Sequence, residues 1–262
     1  MIYLYAIAHK FNPSLDPPVG IENQGVYQIN CNAFALIVSP TLTTKEITLS
    51  KEAIYGHEKI VEFYHGHMDL LPVRFNTVFD NEAVLISTLK PYSLEIETNL
   101  AKVSDCIEMG VKALVKDQKD VIARSASDEA ISNRNEIASP SARNDVNSKA
   151  KKYILDKFSV YKEAFCLQEK YKSQGKTIYN LLEECSRQGI KLPIAANSHL
   201  ILNSVFLVQK KSLNNFKTKF QTIKQDFADF AFLLSGPWPT YSFVDFSIKR
   251  DSTVKKDALC LS

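Results

Sequence analysis

Gly236-Pro237-Trp238-Pro239-Thr240-Tyr241-Ser242-Phe243-Val244 contains the chain's single tryptophan and two of its ten prolines. The prolines fix φ near about −65° on either side of Trp238 and remove two backbone donors. Residues that precede proline are held extended. The run follows an apolar segment, Phe227 to Leu234, whose pattern predicts a last strand over Ala228–Ser235. A stiff, extended arm is therefore expected to leave that strand and present Trp238, Tyr241 and Phe243. Such an arm loses little entropy on docking. Composition leaves open whether it packs on its own domain or on a partner.

Working back from this arm, Leu213, Phe216, Phe220, Ile223 and Phe227 recur at three- and four-residue intervals. That stripe predicts a helix with one buried face. Leu200–Gln209 reads as a strand, residues 190–196 as another, and Gly189 as the cap of a preceding helix over 176–188. A further helix is expected over 149–172, and a strand over Val103–Val115. From residue 103 the order is strand, helices, strand, strand, helix, strand, a ferredoxin-like βαββαβ.

The first hundred residues read as a smaller α+β unit. Ile2 to Ala8 is a continuous apolar run, as expected of a central strand. Val26–Ile29 and Ala33–Ser39 are short strands around Asn30-Cys31-Asn32, a hairpin pattern. Ser50 is a good N-cap, and Ala53, Ile54, His57, Ile60, Val61 and Tyr64 then repeat as the buried face of a helix ending near Gly66. Leu71 to Val78 reads as a strand. Asp80 or Asn81 caps a second helix that breaks at Pro91 and resumes to about Leu100. The fold class is therefore α+β in two domains, residues 1–101 and 102–244, followed by a flexible tail over 245–262.

Composition narrows the function classes. The 262 residues are 45% hydrophobic and 23% charged, with a net charge of only +3. No dense basic patch with interleaved aromatics occurs, so nucleic acid is not an expected partner. Five scattered cysteines without a Cys-x-x-Cys pair suit free thiols in a reducing cytoplasm. No apolar run approaches roughly 18 residues, so no membrane span is expected. Residues 116–148 are rich in Ser, Asn, Asp, Arg and Ala and hold no aromatic residue. They read as a mobile insert, and Ile122 to Ser132 with Asn135 to Ser139 looks like a translated mobile genomic repeat.

Few residues suggest chemistry. His57, His65 and His67 with Glu58 form the one metal-like cluster. A helix would separate His57 from His65 by roughly 12 Å along its axis, and His65-Gly66-His67 reads more simply as a polar helix end bonding the last carbonyls. Arg74 sits inside apolar Leu71-Pro72-Val73-Arg74-Phe75, so it must pair internally, snorkel or face a partner. Its internal candidates are Glu52, Glu58, Glu62 and Asp80. No Gly-x-Ser-x-Gly or phosphate-binding glycine loop is present among only eight glycines. No catalytic residue, cofactor or metal is therefore assigned.

The opening run also carries a resemblance. With Tyr3-Leu4-Tyr5-Ala6-Ile7, Leu71 to Phe79, Glu108-Met109-Gly110-Val111-Lys112 and, more weakly, Leu202 to Val208, it is similar to the gas vesicle GvpF/GvpL family. These blocks span residues 2 to 244. The chain departs from the pattern at Thr240, where proline is usual, at Asn76, where glycine is usual, and at Met109, where tryptophan is common. Asn76 suits that place if its backbone is left-handed, which Asn tolerates.

The resemblance implies a non-catalytic, cytoplasmic gas vesicle component needed for assembly. It would bind the small hydrophobic shell protein, and other gas vesicle accessory proteins, and limit shell-protein aggregation during nucleation. Trp238, Tyr241, Phe243 and Arg74 are the candidate interface residues. Two other readings are a small metal-dependent hydrolase using His57, His65 and His67, and a generic ferredoxin-like binding module.

Overall fold

Ile2–His9 forms β1, whose six inner residues are buried, as its unbroken apolar run requires. It lies inside a five-stranded sheet. On one side β1 pairs with β3 (Phe34–Pro40), which pairs with β2 (Tyr27–Cys31). On the other side it pairs with β4 (Leu70–Pro72) and β5 (Val78–Phe79), every pairing being antiparallel. The computed structural model describes residues 1–10, 15–31, 34–42, 47–116, 166–167, 169–195, 199–244, 246–248 and 259–261. The expected insert beyond Lys116, and residues 149–165 of the helix expected over 149–172, lie outside them.

Helix α1 (Lys51–His65) starts where Ser50 predicts, its hydroxyl oxygen accepting the Ala53 N–H at 3.1 Å. His57, Ile60, Val61 and Tyr64 form its buried face, whereas Ile54 is 40% exposed. Asn81 caps α2 (Glu82–Leu89), and a 3-10 turn over Lys90–Tyr92 accommodates Pro91 before α3 (Ser93–Val103). The expected strand over 71–78 is instead two short strands. Asn76 breaks it with φ 72°, the left-handed conformation that its place in the motif requires. Its side-chain oxygen accepts the Ile47 N–H, and Thr77 donates its hydroxyl to the Arg74 carbonyl.

The expected strand start at Val103 also shifts. The helix runs through Val103, and the chain turns at Asp105 (φ 55°) before β6 (Cys106–Val115). Asp69 holds that joint by accepting from the Ser104 hydroxyl and the Asp105 N–H.

The second sheet has strand order β7-β8-β6-β9, with all neighbours antiparallel. Its members are β6, β7 (Gln188–Lys191), β8 (Leu200–Gln209) and β9 (Phe230–Trp238). Two helices, α4 over 169–183 and α5 (Leu213–Asp226), connect them in the order strand, helix, strand, strand, helix, strand. The helix over 169–183 passes unbroken through the expected gap near 173–175, and Gly189 lies inside β7 and is not a cap. Ile178, Leu182, Phe206, Phe216 and Phe220 join both helices to one sheet face. The other face contributes Cys106, Val205 and Leu207 to a cluster with Leu4, Ile7 and Leu100 of the N-terminal half. One apolar cluster thus crosses the division at residue 101. Of residues 245–262, β10 (Phe246–Ile248) and β11 (Leu259–Leu261) are described, and they pair antiparallel.

Candidate protein-interaction site

The C-terminal segment does not leave its strand at Ser235. β9 continues through Gly236 and Pro237 to Trp238, with Trp238 in register with Glu108 of β6. Pro237 is compatible with this because β9 is the last strand of the sheet, where an outward N–H has no ladder partner to lose. Gly236 is obligatory at its position. Its φ is 105°, and a Cβ there would sit 2.7 Å from the Glu108 carbonyl oxygen.

The chain then folds back instead of projecting. Tyr241 N–H donates to the Pro239 carbonyl and Phe243 N–H to the Thr240 carbonyl, forming a 3-10 turn over Tyr241–Phe243. Glu108, itself buried, anchors that turn by accepting the Ser242 N–H at 2.9 Å and its hydroxyl at 2.8 Å. Burial raises the Glu108 carboxyl above its ordinary range, and the two Ser242 bonds pull it partly back.

These contacts correct the expected presentation of the three rings. Phe243 is 1% exposed and packs with Val244 in the cluster shared by the two sheets, which leaves it no surface to offer. Tyr241 is directed inward. Its hydroxyl donates to Glu58 Oε1 at 3.1 Å and lies 3.4 Å from His57 Nε2. Burial, then the Glu58 carboxylate, raises the Tyr241 phenol well above its ordinary value. Trp238 alone is substantially open, at 44% exposure. Thr240, at the family's proline position, has a buried hydroxyl oxygen without a hydrogen-bond partner.

Arg74 lies in the turn between β4 and β5, not within a strand, and its side chain is exposed. Phe75 beside it packs on the same cluster as Tyr241.

The histidines diverge. His57 is buried, with Tyr3 Oη 2.9 Å from Nδ1 and its ring stacked on Tyr5. The Tyr3 oxygen accepts the Asn76 N–H, so its own proton is directed to His57 Nδ1. Desolvation pushes the His57 pKa down to about 4, against an opposing backbone bond at Val73. His67 donates from Nδ1 to the Phe63 carbonyl at 2.7 Å, the helix-end role expected of it. Among the described residues no group of three or more His, Cys, Asp or Glu is placed to hold a metal ion. The metal-hydrolase reading therefore has no support.

Glu108 and Ser242 were not singled out as functional in the sequence, and Glu58 only as a member of the metal-like cluster and a candidate partner of Arg74. Glu108 had a legible signal, since it is a lone acid within the otherwise apolar start of β6. Ser242 gave none, and the bond of Glu58 to Tyr241 was hidden, because their partners are 134 and 183 residues away.

A family model described as gas vesicle synthesis protein GvpL/GvpF matches residues 1–245. No curated protein matches the chain. Among solved structures, gas vesicle protein GvpF from Anabaena sp. PCC7120 matches with a TM-score of 0.70 and 19% identity, over 95% of this chain and 98% of that one. GvpF from Microcystis aeruginosa matches with a TM-score of 0.70 and 20% identity, over 94% of this chain and 99% of that one. Both structures share its mixed helix-and-sheet fold.

Proposed function

The chain belongs to the gas vesicle GvpL/GvpF family, and on that premise we propose that it is a non-catalytic assembly component that binds the hydrophobic shell protein and limits its aggregation during nucleation. The observation that carries this reading is the family match across residues 1–245, which takes in the whole Trp238 segment. The physical requirement is consistent with it. A partner that self-associates through apolar surface needs competing apolar surface and strand edges on a soluble body. Leu233 and Trp238, at 55% and 44% exposure, offer such surface on one strand. Among the described residues no helix is long and apolar enough to cross a membrane, in keeping with action in the cytoplasm on nascent vesicles. Other gas vesicle accessory proteins are further partners in this reading.

The test is co-expression of the tagged chain with a gas vesicle shell protein in a host that lacks vesicles. Shell protein should co-purify with the chain and shift from the pellet to the soluble fraction. Unchanged partition, with no shell protein on the tag, contradicts the proposal.

A further inference from the structure

β9 is an edge strand of unusual character. It is nine residues long, pairs with β6 on one side, and no strand among the described residues pairs with the other. Exposed edges are ordinarily blunted by charge, shortness or irregularity, because their unpaired N–H and C=O groups template further pairing. The other edges are shorter or more polar: β2, also uncharged, is five residues long and carries Gln28 and Asn30. β7 is four residues long and ends in Lys191, while β4 and β5 are three and two residues long. β9, Phe230-Ala231-Phe232-Leu233-Leu234-Ser235-Gly236-Pro237-Trp238, carries no charge at all.

Its side chains define the strand that would fit. Phe232 and Leu234 face the helices and are only partly covered, and Leu233 projects on the opposite face at 55% exposure. An added strand would meet apolar side chains of β9 on both faces of the sheet, and on the helix-facing side, beside Phe232 and Leu234, a charge would be desolvated without a partner. Gly236 and Pro237 interrupt the ladder, and Trp238 stands exposed just beyond them. This sets the pairing length at about five or six residues.

We infer that the free edge of β9, residues 230–235, is the docking site for an extended, uncharged, aliphatic strand of the shell protein, added to the second sheet by β-augmentation. The inference rests on the proposed function, because an aliphatic strand without charges is what a very hydrophobic shell protein can supply. Main-chain bonds give the pairing its strength and alternate side chains its selectivity.

The experiment measures binding of recombinant, solubility-tagged gas vesicle shell protein to the full chain and to three variants. Leu233→Lys and Ala231→Lys place a charge on the exposed face of the edge. Tyr55→Lys, at another exposed apolar position (71%), is the control. Both β9 variants should weaken binding at least tenfold while Tyr55→Lys does not. Amide hydrogen exchange in the wild-type chain should slow at least tenfold across 231–235 when shell protein binds. If the wild type does not bind, the proposed function fails, and this inference with it. If the wild type binds but exchange at 231–235 is unchanged, or both lysine variants bind normally, the docking site is wrong while the function stands. A wild-type dimer broken by Leu233→Lys without loss of shell protein would assign the edge to a second copy of the chain and overturn the inference. Should either lysine variant fail to fold, the wild-type exchange measurement still decides.

Discussion

Glu108 and Ser242 lie 134 residues apart, yet the carboxylate of one accepts both the N–H and the hydroxyl of the other. This pair fixes where the chain turns after β9, and so directs Tyr241 and Phe243 inward and leaves Trp238 outside. A lone acid in β6, legible in the sequence, and a Ser that gave no signal there form one structural device.

Replacing Glu108 tests that device. Glu108→Ala strands a partly buried N–H and should destabilise by about 1–3 kcal/mol. Glu108→Gln retains an acceptor for it without the charge. Because burial raises the Glu108 carboxyl, its contribution is fully present below the unfolded value and is lost as pH rises through the folded one. Denaturant unfolding should therefore show Glu108→Gln gaining on the wild type as pH rises from acid toward neutral. A difference independent of pH contradicts this assignment.

Phe243 and Trp238 should separate in the same assay. Phe243→Ala removes a ring with 1% exposure and should cost about 3–5 kcal/mol. Trp238→Ala removes a ring left 44% open and should cost about 1–2 kcal/mol. Equal losses would show that Trp238 is as structural as Phe243.

His57 predicts a loss of stability in acid. Its pKa falls from 6.5 to about 4 on folding, so the unfolded chain binds the proton first. The stability it contributes is present above about pH 6.5 and is lost as pH falls toward about 4, by about 3 kcal/mol in all. Glu58 and Glu108 oppose this, since both are raised. The His57→Gln variant should be less stable at neutral pH, and its difference from wild type should shrink across that window. A constant difference from pH 7 to pH 4 would show that the imidazole is not held neutral.

The regular elements were largely legible in the sequence. β8 was expected at Leu200–Gln209 and occurs there, and Ser50 and Asn81 cap the helices they were expected to cap. In each case the deciding physics is local, a hydrophobic period or a side chain two or three residues from the backbone group it satisfies. Glycines misled where their reason was distant. A Cβ on Gly175 would lie 2.3 Å from the Ile201 carbonyl oxygen, and one on Gly189 would lie 2.6 Å from the Tyr179 hydroxyl. Both permit close packing inside regular elements, whereas their sequence neighbourhoods suggest a break and a cap. The inward turn of Tyr241 was hidden for the same reason, since its partners His57 and Glu58 lie in α1.

Thr240 supplies a test of the motif departure. Its buried hydroxyl oxygen lacks a partner, and valine has the same shape without the polar atom. Thr240→Val should raise stability by about 1 kcal/mol. A loss of stability would reveal a hydrogen bond that the hydroxyl makes.

The proposed role of this chain is to keep a self-associating shell protein from aggregating. It is tested most directly by diluting denatured shell protein into buffer with increasing amounts of the chain and measuring the shell protein left in the supernatant after centrifugation. The soluble fraction should rise with the chain and reach a plateau at a fixed stoichiometry, with both proteins eluting as one complex. A soluble fraction that does not change over the whole titration would contradict it.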